Sequence, residues 1–280
     1  MKANSKYKNM SPEFWALVKF VSQAKGYTAR KTKAIKTYTE EEIVQLLEEH
    51  KMFINRQLIK DVADYSRLRA EVLNTTVREN LMNAKDAQQA FEHLHTVHKE
   101  NKYLCKLPMN KQKKEKRNIA FFTAIINILA EQTIRTETKQ DEKGFNDNPK
   151  SLTYVLDDKN MLVGASSRVV DGMYPNTNTN PDIVWEIKEY YYTTTFGSRV
   201  ADGVFETQLD GYELTDISTR TGKQIQHVWF IDGRYTWWDC GRSYLCRIFD
   251  ILHSGFVDEV IFGKEVLTRW PEILRDVINR

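Results

Sequence analysis

No apolar run in this 280-residue chain approaches the roughly 18 consecutive residues that a membrane-spanning helix requires, so no membrane span is expected. Cysteine is scarce: Cys105, Cys240 and Cys246 are odd in number and widely spaced, which argues against a disulfide framework and a cysteine-rich zinc site. The opening segment MKANSKYKNMSPEFW is basic and lacks the apolar stretch of a secretory signal, which makes the expected compartment cytoplasmic. There is no internal repeat with a period of roughly 20 to 50 residues. Nor is there an H-E-x-x-H motif, a phosphate-cradling glycine loop or a zinc-deaminase signature, which removes three familiar chemistries.

What remains is an ordinary globular composition, 41% hydrophobic and 28% charged, long enough to bury a core without staples. The net charge is only +3, but it is unevenly distributed. Between Met1 and Tyr38, Lys2, Lys6, Lys8, Lys19, Lys25, Arg30, Lys31, Lys33 and Lys36 face a single acid, Glu13. A second basic run, KQKKEKR, spans Lys111 to Arg117. Clustered cations of this kind release counterions from a phosphate backbone, or simply form a solvated basic arm.

From Ser11 to about Lys139 the periodicity is helical. SPEFWALVKFVSQ offers Ser11 as N-cap with Pro12 at the first helical position, and YTEEEIVQLLEEHKMFI offers Thr39 with Glu42 as a capping box. NIAFFTAIINILAEQ is apolar on most of its circumference and is expected to be buried. The polar stretch TETKQDEKGFNDNPKS, with Gly144 and Pro149, predicts a boundary between residues 1–140, mainly helical, and residues 141–280. Beyond it short β-rich runs appear, LTYVL, SRVVDGMYP, DIVWEIKEYYYTTT, HVWFID and EVIFG. Two helical stretches lie among them, and a closing helix is expected to break at Pro271. The order predicts an α/β fold with a central mixed sheet flanked by helices.

In DIVWEIKEYY, strand alternation places Val184, Glu186 and Lys188 on one face and Trp185 and Ile187 on the other. Charged neighbours inside an apolar strand are costly to bury unless they pair or bind a metal. Upstream, SRVVDGMYP puts Asp171 at the end of a second strand, from which a hairpin would bring it to Glu186. Two converging carboxylates suit Mg²⁺, and a nearby ammonium can orient an attacking water.

These residues resemble the signature of the PD-(D/E)XK nucleases, an acid on one strand followed by acid, any residue and Lys on the next. The wider run from Ser166 to Gly263 looks like a type II restriction endonuclease of that superfamily. The resemblance implies a restriction-endonuclease-like core preceded by a helical domain. It also implies a Mg²⁺-dependent enzyme cutting double-stranded DNA, commonly as a homodimer, with Asp171, Glu186 and Lys188 catalytic and Asp171 and Glu186 on the metal. Asp182, in the literal Pro181-Asp182 pair, is the alternative first acid, although on one extended strand it lies roughly 13 Å from Glu186. Glu131 is a lesser candidate, corresponding to an acid that some members bring from a preceding helix.

Other signals have plainer readings. Gln208 and Tyr212 match a Gln-x-x-x-Tyr element of exonuclease relatives but equally a polar position and an aromatic core contact. Asp202, Glu206 and Asp210 read as a solvated acidic stripe. His93, His95 and His98, with Cys105 nearby, make a weak zinc set. Arg30, Lys31, Lys33 and Lys36 are candidate DNA contacts, and elimination makes the N-terminal half the candidate recognition region. A repair or junction-resolving nuclease of the same fold, or a DNA-binding scaffold in which Glu186 and Lys188 form a structural ion pair, are the rival readings.

Overall fold

The computed structural model describes residues 1–111, 118–192 and 196–280. The basic run at 111–117 therefore falls, beyond Lys111, outside the described residues.

The N-terminal elements form where the capping chemistry puts them. Ser11 Oγ accepts the Phe14 amide at the head of α1 (Pro12–Lys25), and Thr39 and Glu42 close a capping box on α2 (Glu40–Glu49). Helix α3 (Arg56–Val72) starts at Asn55 and passes through a π turn (Leu73–Val77) into the short α4 (Arg78–Asn80). Asn83 and Asp86 cap α5 (Ala84–Glu100) reciprocally, and α6 (Phe121–Thr138) is buried along most of its length.

After a small hairpin of β1 (Tyr154–Leu156) and β2 (Leu162–Ala165) comes the main sheet, in the order β3 (Gly172–Tyr174), β4 (Ile183–Lys188), β5 (Gln226–Ile231), β6 (Glu259–Phe262). β3 is antiparallel to β4, whereas β4, β5 and β6 are mutually parallel. Parallel neighbours need long crossovers, supplied by α7 (Ser198–Thr221) and α8 (Arg242–His253). The last helix, α9 (Val266–Ile278), runs unbroken through Pro271, contrary to the expected interruption. Proline at this place removes one backbone bond, and the burial of Trp270, Ile273 and Leu274 around it offsets the loss.

Strand alternation sorts the sheet into two apolar faces. Trp185, Val228, Phe230 and Ile261 pack with α5, α6 and α9. Trp229, Ile231, Val260 and Phe262 pack with α7, α8 and the N-terminal helices. The mixed sheet flanked by helices is thus observed. The expected break near residue 140 does not divide the core, because Phe122, Ile125 and Ile126 of α6 share one cluster with Trp185 and Trp270.

Two devices join the early helices to the rest. Asp250 of α8 accepts hydrogen bonds from Tyr27 Oη (3.0 Å), Tyr65 Oη (2.8 Å) and Arg69 Nη1 (3.0 Å), a buried carboxylate with every lone-pair direction used. At the far edge of the sheet, the Met1 ammonium donates to the Val260 carbonyl at 2.6 Å.

Helix α7 sits unusually close to its neighbours. A Cβ added at Gly211 would meet the Phe256 carbonyl oxygen at 1.9 Å, and backbone cannot move aside as a side chain can. Gly211→Ala should therefore destabilise the protein by about 1–3 kcal/mol, the usual range for overpacking. Urea denaturation checks this, and an unchanged midpoint would contradict the close packing of α7.

Candidate active site

The site is built at the carboxyl end of β4, on the face that α7 covers. Register, not sequence distance, brings its acids together. Gly172 pairs with Trp185 in the antiparallel β3–β4 ladder, so Asp171, one residue before β3, stands opposite Glu186. Its amide donates to the Trp185 carbonyl at 3.1 Å, and its Oδ2 accepts the Ile187 amide at 2.7 Å. Asp171 thus precedes the start of its strand, where the sequence suggested its end. β3 is only three residues long and runs towards the turn, so its beginning faces the end of β4. Gly172 is required beside it: a Cβ there would lie 2.2 Å from the Trp185 indole.

Glu186 and Lys188 are 2% and 6% exposed, and Lys188 Nζ donates to Glu186 Oε2 at 2.8 Å. The other oxygen, Glu186 Oε1, is buried without a hydrogen-bond partner. Burial works against the Lys188 charge, but the Glu186 and Asp171 carboxylates outweigh it and hold the ammonium above its ordinary value. Asp171 is shifted upward by the protein crowded around it and then by the negative charge of Glu186. Its residue is open to solvent, which tempers the desolvation.

Asp210 on α7 completes the group, and sequence reasoning missed it. The expected solvated stripe holds only in part: Asp202 is exposed and Glu206 half-buried, but Asp210 is 3% exposed. Both Asp210 oxygens lack hydrogen-bond partners, although Arg168 Nε lies 3.3 Å from Oδ1 in an unaligned ion pair. Burial, then Glu186, push the Asp210 carboxyl up to about 7. The signal available in the sequence was Gly203 and Gly211, whose spacing marks the α7 face that lies against Lys188, Tyr190 and Phe256 and carries Asp210 at its margin.

A cleft of about 630 Å³ opens beside this group, lined by Asp171, Lys111, Ile187, Tyr190 and Arg199 among others. Asp171 reaches the cleft, while Glu186 and Lys188 lie behind it. Glu189 also faces the cleft and accepts the Thr123 amide at 2.9 Å, capping α6 where no local residue does.

The other candidates are placed elsewhere. Asp182 is exposed at the opposite end of β4, just before Ile183. The Glu131 carboxylate is fully engaged, accepting the Leu104 and Cys105 amides and pairing with Arg135. Tyr212 is 62% exposed beside Phe256 and so makes no core contact of the kind its plain reading required. His95 and His98 are 6.3 Å apart ring to ring, and His98 Nε2 faces the Cys105 carbonyl. Arg30 and Lys31 are exposed, whereas Lys33 and Lys36 donate to the Asp239 and Lys25 carbonyls.

Three carboxylates, Asp171, Glu186 and Asp210, thus meet two cations, Lys188 and Arg168, leaving unpartnered acceptor atoms and excess negative charge. No three His, Cys, Asp or Glu side chains among the described residues form a ready metal cage. Mg²⁺ does not need one, because it keeps several waters and binds through one or two carboxylates and substrate oxygens. The donor set fits such an ion.

A family model described as domain of unknown function DUF7687 matches residues 82–277, and one described as domain of unknown function DUF7690 matches residues 1–76. No curated protein and no solved structure matches the chain.

Without metal, the Asp210 shift has a consequence for stability. With a folded value of about 7, above the ordinary 3.8, the native state holds a proton that the unfolded chain releases. The stabilisation is full below about pH 4 and is lost as pH rises through about 7. In EDTA, Asp210→Asn should remove this slope, melting above wild type at pH 8 but not at pH 4. A thermal melt series in which both proteins lose stability equally over that interval would contradict the buried, unpartnered state of Asp210.

Proposed function

For this chain, which belongs to the family described as domain of unknown function DUF7687, we propose a Mg²⁺-dependent nuclease that hydrolyses phosphodiester bonds of double-stranded DNA. The observation that carries the reading is the juxtaposition of Asp171 and Glu186 across the β3–β4 ladder, with the Lys188 ammonium 2.8 Å from Glu186. That is the acid on one strand, and the acid-x-Lys on the next, of the PD-(D/E)XK signature. The mixed sheet with helices on both faces is compatible with a restriction-endonuclease-like core.

Asp171 and Glu186 would hold the ion, Asp171 from the cleft and Glu186 through its free Oε1. A divalent cation held there would supply charge neutralisation at the phosphate and make a water easier to deprotonate. Lys188, kept protonated by its two carboxylate neighbours, would orient the attacking water and stabilise the negative charge that develops on the phosphate oxygens. Lys111 and Arg199 at the cleft wall carry charges suited to the flanking phosphates. Restriction of foreign DNA is the biological role that the resemblance favours.

The test is incubation of the purified protein with unmethylated phage DNA in Mg²⁺ and in EDTA. Wild type should produce fragments only with Mg²⁺, Lys188→Ala and Asp171→Asn should each lower the rate by about 10²–10³, and Asp182→Asn should cut as wild type does. Uncut DNA with a folded wild-type protein, across several DNAs, would turn Glu186 and Lys188 into a structural ion pair.

A further inference from the structure

The carboxyl ends of β5 and β6 form a second basin that the cleavage chemistry does not use. It is a polar recess of about 580 Å³ lined by Arg78, Arg234 and Lys264 with Asn74, Asn83, Leu81, Glu79 and Asp86. Arg234 follows β5 by three residues and Lys264 follows β6 by two, so both stand on the sheet edge that carries Lys188 at the end of β4. Backbone and packing contacts tie the segments that leave β4 and β5 together. The Asp232 amide donates to the Lys188 carbonyl at 3.3 Å, and Gly233 lies where a Cβ would touch the Tyr191 ring at 3.1 Å. Residues Asn80 to Met82 cross over the ends of both strands, the Arg234 amide donating to the Met82 carbonyl at 2.8 Å.

The charges here are available. Among the described residues Arg78, Arg234 and Lys264 enter no ion pair, and all three are exposed. Of the two acids in the recess, Asp86 already accepts the Asn83 amide in the capping box of α5, which leaves its charge opposite a helix N-terminus. The positive surface continues past the recess. Arg78 lies over the Trp238 ring at 5.7 Å and Arg242 over the same ring at 4.1 Å, and Arg242 Nη1 donates to the Lys33 carbonyl. The loop bearing Arg30 and Lys31 is thereby docked at the end of the same row.

We propose that this row, from Arg234 and Lys264 through Arg78 and Arg242 to the Arg30–Lys31 loop, binds the sugar-phosphate backbone of the duplex flanking the scissile phosphate, an inference that rests on the nuclease reading. Two strand spacings separate β4 from β6, about 10 Å, or about three base-pair rises of 3.4 Å along the helix axis. The row therefore follows phosphates adjacent to the one held at Asp171. Guanidinium and ammonium groups without acidic partners contribute affinity through counterion release and carry no base specificity, so the row serves binding and register and leaves sequence readout elsewhere.

The experiment is fluorescence-anisotropy titration of the full-length protein with a labelled random-sequence DNA duplex in EDTA across a salt series. The variants are R78A/R234A/K264A and the charge-preserving R78K/R234K/K264R, and thermal melts verify that each is folded. The alanine triple variant should bind at least about tenfold more weakly at 100 mM salt, with the log–log salt slope lower by about three, close to one per cation removed. The charge-preserving variant should bind within about threefold of wild type. Wild-type affinity and slope in the alanine variant overturn the inference, and DNA cleavage by that same preparation then leaves the nuclease reading standing. A wild type that cleaves nothing and binds no duplex overturns both. Preference for single-stranded RNA over the duplex overturns the assignment of the partner.

Discussion

A carboxylate and an ammonium buried two residues apart on an inner strand set the terms for everything around them. Taking Glu186 and Lys188 out of water costs several kcal/mol per ion, and one mutual contact at 2.8 Å leaves Glu186 Oε1 unpartnered. The surroundings add negative charge where neutral packing would have been available: Asp171 across the ladder and Asp210 from α7, with Arg168 only partly compensating. Hydrophobic residues would stabilise such a position more cheaply, so the arrangement is understandable as one in which stability has been given up for a group that attracts a further cation. The parallel pairing of β4 with β5 makes this possible, because it buries the strand on both sides while delivering its carboxyl end to a cleft.

The rest of the architecture holds that strand end in place. Glu189 turns away from the sheet to cap α6, and Asp232 accepts the Tyr190 amide and the Trp237 indole, so the segment leaving β4 is pinned on both faces. Gly203 and Gly211 let α7 lie close enough for Asp210 to approach Glu186. Further out, the buried Asp250 with Tyr27, Tyr65 and Arg69 fixes the N-terminal helices to α8, which presents the basic loop at the same edge of the sheet as the site.

Much of this was legible in the sequence because it is local. Caps at Ser11 and Thr39 and the alternation of Val184, Glu186 and Lys188 depend on a few neighbouring residues, and each formed as expected. The two-strand pattern points to Asp171 as a partner for Glu186, although the strand forms after Asp171 and not before it, over three residues only. What could not be read depends on long-range packing. Asp210 shares a polar-looking stripe with Asp202, and only the position of α7 over β4 separates a buried acid from an exposed one. Helix α6 lies before the polar linker in sequence but inside the sheet's core in space, a relation no periodicity encodes. The matched families likewise divide the chain between residues 76 and 82, far from the polar linker.

The central claim is that Asp171 and Glu186 together hold a divalent cation, and calorimetric titration of the protein with Mg²⁺ or Mn²⁺ tests it most directly. Wild type should bind the ion with heat that is lost in Glu186→Gln, greatly weakened in Asp171→Asn and unchanged in Asp182→Asn. Equal binding by wild type and Glu186→Gln, with both folded, would contradict the account and return Glu186 and Lys188 to a purely structural role.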